Sequence, residues 1–389
     1  MTKLKIKRLA VHASPAALLE SAGRRIEKLI APENFLFTEN SPDVLFFLTG
    51  GTERLALKQV STGHFYLLIG SQHNNSYASA SEVKALLNEI NIPSMLLDEE
   101  DAFTKSILKD FFTVKKALKK LKGQKLGLIG QISDWLVASN ISAGRLSEKL
   151  GIELSVIPWS ETEHFSKFKA SDSFFDTFSG KSDIDLTETG KVSGLLTAII
   201  KKRNLDAITV ECFPMVMKDK VTACLPLAKF NNDGIPAGCE GDLTAIAGMM
   251  LCKELSDIIP WIANTNKVSD EVCVFSHCTI APDLVSDFSV KSHFETGLGT
   301  AIQGNFKDDL ITIFRFDRKL SKAFITTAKI IGRPKSDAAC RTQIEVKLTQ
   351  NEVNLLQNSP LGNHHLICPG DCKKLLRFAC TVLGIEILK

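Results

Sequence analysis

Val44-Leu-Phe-Phe-Leu48, closed by Thr49-Gly-Gly51, is an unbroken apolar run ended by a turn. A run this short and wholly apolar suits a strand buried on both faces, as in a parallel sheet. Residues 65–69 repeat the pattern and end in Gly70-Ser-Gln-His-Asn-Asn-Ser76. A helix follows at about 79–91, with Val83, Leu86, Leu87 and Ile90 at helical spacing. Residues 93–97 read as the next strand, 103–121 as a long amphipathic helix, and 125–129 as a strand ended by Gly130. Strand, glycine turn and helix in succession predict a doubly wound α/β domain over residues 1–150.

A second doubly wound α/β domain is predicted over 151–284. It contains strands at 152–157 and 207–210, joined through a helix at 190–203. The second of these strands delivers Glu211 to the carboxyl edge of the sheet, where ligands bind in open α/β folds. A strand at 235–239 then leads into Glu240 and a helix at 241–254 rich in small residues, and residues 272–275 deliver His277. The stretch 160–185 mixes Phe, Ser and Asp without a clean period and reads as a loop or irregular helix carrying partner contacts. From 285 the pattern changes. Gly297, Gly299 and Gly304 punctuate β-prone runs at 310–316, 323–331 and 343–348. These predict a β-rich C-terminal domain over 285–389, built as a small barrel.

The bulk numbers exclude several classes. The chain has 389 residues, 44% hydrophobic and 23% charged, as globular proteins do. A net charge of +3 gives no electrostatic case for nucleic acid. The N-terminus lacks the apolar core of a secretory signal, and no segment nears the ~18 apolar residues of a membrane span. The expectation is a soluble, cytoplasmic protein. All ten cysteines lie between Cys212 and Cys380 and read as free core thiols, with a structural zinc at His364, His365, Cys368 and Cys372 as the rival. Thr49-Gly-Gly-Thr52 and Gly70-Ser71 complete neither a P-loop nor a dinucleotide fingerprint, so no nucleotide cofactor is expected.

Three short pieces carry chemistry: Gly238-Cys-Glu-Gly-Asp242, Ser276-His-Cys278 and Asn363-His-His365. One carboxylate with scattered imidazoles provides the oxygen and nitrogen donors of an open catalytic divalent-metal site. Each residue also has a plainer reading. Asp242 serves as a second catalytic carboxylate or caps the following helix. Glu211 reaches the site or ties down a loop. His277 ligates or packs, and Trp261 stacks on a sugar or fills the core. His293 reads as surface or loop. Asn75, beside His73 and Asn74, is a turn residue or a substrate contact.

In chain order, Thr49-Gly-Gly-Thr-Glu53, Asn75-Ser-Tyr-Ala-Ser-Ala-Ser-Glu82, Leu126-Gly-Leu-Ile-Gly130, Glu211-Cys-Phe-Pro214, Gly234-Ile-Pro-Ala-Gly-Cys-Glu-Gly-Asp242, His277, the glycine-rich 297–304 and Asn363-His-His365 resemble the L-fucose isomerase / L-arabinose isomerase superfamily, specifically its shorter fucose-isomerase-like members. The resemblance implies α/β domains followed by a β-rich domain, and aldose–ketose isomerisation through an enediol with a divalent metal, usually manganese. It also implies a homo-oligomer, trimer or hexamer, with sugar sites where subunits meet. Glu240 matches the family's catalytic metal carboxylate, His277 a metal ligand of the arabinose branch, and His365 the late His ligand, with His364 left to substrate contact or support. The second metal carboxylate falls at Asn264. That is a departure: an amide can coordinate through its oxygen, but it is neutral and accepts no proton. Two readings follow, a working metal-dependent isomerase and a diverged sugar-binding homologue without activity.

Overall fold

The computed structural model describes residues 2–389, in two compact units. The first runs to Lys119 and includes 378–384; the second holds 120–377 and 385–389.

The first unit is built on a five-stranded parallel sheet: β1 (Leu4–Leu9), β2 (Phe35–Phe37), β3 (Val44–Phe47), β4 (Tyr66–Gly70) and β5 (Ser94–Asp98), in the order β2-β1-β3-β4-β5. Every residue of β3 and β4 is buried, which is why neither alternates in sequence. The helix Ser76–Glu89 sends Val83 and Leu87 into the same core. Phe378 packs edge-on against Phe65 and Phe111.

The second unit opens with a four-stranded parallel sheet. Its strands are β6 (Lys125–Ile129), β7 (Glu153–Ile157), β8 (Ala207–Val210) and β9 (Ala237–Cys239), ordered β7-β6-β8-β9. β6 pairs with β7 and β8, so this sheet begins at residue 125 and not near 151. An apolar run marks a strand but does not say which sheet it joins.

The β-rich part likewise starts earlier than 285. β10 (Trp261–Ser269) and β11 (Val272–His277) form an antiparallel hairpin. After the separate ribbon of β12 (Val285–Lys291) and β13 (Ala301–Phe306) come β14 (Leu310–Phe316), β15 (Lys322–Gly332), β16 (Thr342–Lys347) and β17 (His364–Pro369). β14, β17, β10, β11, β16 and β15 close into a six-stranded barrel through the β14–β15 pairing, with β18 (Glu386–Ile387) added to β15. Closure pairs the barrel's edges and leaves only short additions outside. The polar stretch 160–185 contains a helix, Asp172–Phe178, whose Phe174 and Phe178 are fully buried in the core shared with the barrel. Those phenylalanines serve packing.

The helix Leu243–Ser256 packs against both the parallel sheet and the barrel, through β8 and β9 on one side and β14 and β17 on the other. Hence it is buried on nearly every face, and small residues are needed along it. A Cβ at Gly248 would lie 2.5 Å from Leu366 Cδ1 and 3.2 Å from Phe314 Cε1, so the barrel-wall side chains would have to shift to admit one. All ten cysteines are free and nine are buried, as small core residues are. Among the described residues, no helix is long and apolar enough to cross a membrane.

Candidate metal centre

Glu240 sits on the turn between β9 and the Leu243–Ser256 helix. It adopts φ 61°, followed by Gly241 at φ 70°. A left-handed conformation is costly for a residue with a Cβ and is retained where surroundings over-determine it. Here the loop after β6 does so. Ser133 N donates to Glu240 O at 3.0 Å, and a Cβ at position 241 would meet Gln131 O at 2.3 Å. This loop also brings in Trp135, whose indole Nε1 donates to Glu240 Oε2 at 2.6 Å.

Two imidazoles face the other carboxylate oxygen. His277 Nε2, at the end of β11, is 3.8 Å from Glu240 Oε1, and His364 Nε2, at the start of β17, is 3.7 Å from it. One ligand atom from each of Glu240, His277 and His364 lies within 4.8 Å of the others. Burial by itself would raise the Glu240 carboxyl. The charges and hydrogen bonds of His364, His277 and Trp135 outweigh it and bring the group down to about 2, so it is an anion at neutral pH.

His364 is held from behind. Its Nδ1 lies 2.9 Å from Asp242 Oδ2, while its Nε2 is buried with no hydrogen-bond partner. Carboxylate on one ring nitrogen and a vacant second nitrogen is how metal-binding histidines are usually oriented. Asp242 does two jobs. Its Oδ1 caps the helix by accepting from Ala245 N at 2.8 Å and from Thr244 Oγ1 at 2.6 Å. Its Oδ2 faces His364 and, at 3.7 Å, Arg315 Nη1. Full burial would push this carboxyl up; His364 and Arg315 hold it well below the usual range. Arg315 also donates to His364 O and, at 3.1 Å, to Ser139 Oγ.

The donor set fits a borderline divalent cation: one carboxylate and two imidazoles, one with an orphaned buried nitrogen. His277 has one adjustment to make. Its Nδ1 accepts from Thr279 N at 3.2 Å, which leaves the ring proton on Nε2. If His277 held a cation through Nε2, its ring proton would have to sit on Nδ1, at the cost of the Thr279 amide contact.

Other expected residues fall elsewhere. The expectation that His365 converges with Glu240 is not met. Neighbouring residues of a strand point to opposite faces, so His364 and His365 cannot share a site. His365 packs edge-on against Phe275 and Phe324, and its Nδ1 contacts Thr265 Oγ1 at 2.9 Å and Asn363 O at 3.0 Å. The zinc alternative fails on the same parity. Asn264 lines the Glu240 cavity, its Oδ1 accepting from Asn363 Nδ2 at 2.5 Å. Glu211 does not join the group; its Oε2 accepts from Gln131 N at 2.8 Å and ties down the loop after β6. Trp261 is buried against Phe306 and lines a separate small void. Asn75 lies exposed in the first unit, at φ 54° ahead of a helix. Trp135 and Arg315 were absent from the sequence expectations. Neither stands in a recognisable motif, and Trp135 lies 105 residues from its partner.

His365 carries a pH signature. Burial holds its imidazole down to about 3. The unfolded chain takes up a proton there below ~6.5, while the folded chain stays neutral until far lower. Stability is therefore lost as pH falls from 6.5 towards 3, by about 2 kcal/mol at pH 5 from this group. Denaturant melts at pH 7 and 5 should show this loss, and His365→Asn should flatten the difference.

No family model matches the chain. Among curated proteins, sulfoquinovose isomerase of Alkalicoccus urumqiensis is 19% identical over 260 residues, covering 62% of this chain and 59% of that protein. The chain is thus distantly similar to a sugar isomerase and matches somewhat more than half of that relative's length.

Proposed function

We propose that this chain is a metal-dependent aldose–ketose isomerase. The observation that carries the reading is the convergence of Glu240, His277 and His364, from three separate elements, on one buried point. The distant likeness to a sugar isomerase supports it, as does the sequence resemblance to the L-fucose/L-arabinose enzymes. Glu240, His277 and His364 would hold the cation, and Asn264 lines the same cavity with its amide oxygen turned to Asn363. A bound divalent ion, manganese in this reading, supplies Lewis-acid polarisation of the sugar oxygens.

The protein's own groups do the rest. Asp242 fixes the ring orientation of His364, and Arg315 neutralises Asp242. The cavity at Glu240 is about 20 Å³, room for an ion or one water. A groove of about 450 Å³, lined by Trp135, Ser139, Thr265 and Asn363, is large enough for a sugar. Trp135 belongs to its wall and also bonds Glu240. Assembly as a homo-oligomer belongs to the same reading, and light scattering on the purified protein tests it.

The experiment is metal analysis of the purified protein, with a screen of aldoses for ketose formation. The panel holds L-fucose, L-arabinose and sulfoquinovose, the last because the relative is named for it. Bound manganese and turnover of one aldose are expected. Sugar binding without turnover favours the non-catalytic homologue. Asn264→Asp then distinguishes a pocket lacking only a carboxylate, in which it restores activity, from one that has lost more.

A further inference from the structure

Resting on the isomerase reading, we infer that Glu295 is the proton-carrying carboxylate of this site, in place of the one lost at Asn264. Isomerisation needs a carboxylate free to take and return a proton at carbon. The acids around the centre are otherwise engaged. Glu240 has one oxygen on Trp135 and the other facing two imidazoles. Asp242 caps a helix while facing His364 and Arg315. Glu211 holds the Gln131 amide.

Glu295 lines the same cavity as Glu240, His277 and Asn264. It stands on the loop between β12 and β13, two residues before the glycine-rich stretch 297–304. Among the described residues, none of the hydrogen bonds or ion pairs engages its carboxylate. Cys278 and Cys340 line the cavity beside it. Glu295 is exposed to solvent, so it has a route for proton exchange.

The loop is anchored on both sides of Glu295. His293, buried, stacks edge-on against Phe213 at 5.8 Å, and its Nδ1 contacts Thr296 Oγ1 at 3.2 Å. Thr222 Oγ1 donates to Thr300 O at 2.6 Å and accepts from Thr300 N at 2.9 Å. A carboxylate held between two such anchors is positioned without being neutralised.

In the step assigned to it, the Glu295 carboxylate takes the proton from C2 of the open-chain aldose. The C2–H pair becomes the C1=C2 bond of an enediolate, and the carbonyl pair moves to O1. The O2–H proton passes to O1, the C2=O bond forms, and Glu295 returns its proton to C1. Atoms and charge balance, and no oxidant or reductant is needed.

The test compares Glu295→Gln and Glu295→Asp with wild type, on the aldose that wild type turns over. Three quantities are read: kcat and KM, deuterium uptake at the sugar carbon in heavy water, and the melting shift caused by manganese. For Glu295→Gln the expectation is a kcat lower by ~10²–10⁴-fold, a KM within a few-fold of wild type, loss of deuterium uptake, and an unchanged manganese shift. Glu295→Asp, one methylene shorter, should keep part of the turnover and guards against a folding defect. A Glu295→Gln kcat within threefold of wild type overturns the assignment. Loss of the manganese shift also overturns it, making Glu295 a ligand. A wild type that turns over no aldose removes the isomerase reading and this inference together.

Discussion

Glu240→Gln is expected to remove both metal binding and turnover. Glutamine keeps the shape and the capacity to accept from Trp135, but it loses the negative charge that faces His277 and His364. A site of two neutral imidazoles and an amide holds a divalent cation far less well. At manganese a hundred times the wild-type dissociation constant, wild type should gain about 2.7 kcal/mol of stability by mass action, and the variant nothing. Turnover should fall by at least ~10³-fold, since the polarisation of the sugar oxygens goes with the ion. Calorimetry with and without manganese measures the first, and a ketose assay the second. An unchanged melting shift in the variant would take Glu240 out of the site.

The second large effect is on folding. Arg315→Met should cost about 3–5 kcal/mol, because it leaves the fully buried Asp242 carboxylate without its cation. It also removes the donors to His364 O and Ser139 Oγ, which steady the start of β17 and the loop carrying Trp135. The pair Asp242→Asn and Arg315→Met together should cost less than the sum of the single changes, since the unpaired charge is then absent. Urea melts of the four proteins give the coupling directly. Strict additivity would mean that the two side chains do not act as a unit.

Both predictions concern residues of different legibility. Glu240 stands in a short motif at a strand-to-helix junction, so local pattern alone singled it out. Arg315 reads, in Leu310–Phe316, as an ordinary outward position of a β-strand. Only the crossing of β14 beside Asp242 makes it a counter-ion. Trp135 and Glu295 are similar cases: each lies on a loop with no motif, and Trp135 reaches Glu240, and Glu295 its cavity, only after the chain has folded back.

The histidine pair shows where local reading ends. That one of His364 and His365 belongs to the site was readable from the residue types. Which one depends on strand parity, and parity is set by the pairing of β17 with β10 and β14. A shift of one residue exchanges the two faces. His365 was expected beside Glu240, and His364 stands there, because resemblance aligns letters and carries no register. For the same reason the strand at 125–129 was assigned to the first domain and that at 272–275 to the second α/β domain, since an apolar run states that a strand exists and not what it pairs with.

By itself, then, the amino-acid order determined the buried parallel strands, the β-rich end and the acid at 240. These are encoded in apolar period, turn glycines and residue chemistry over a few positions. Tertiary structure alone decided that His364 and not His365 faces Glu240, the Asp242–Arg315 support, the loop that brings Trp135, and the cavity shared with Glu295. Each of those is a contact between residues far apart in the chain, and its geometry exists only once sheet pairing and barrel closure have brought the partners together.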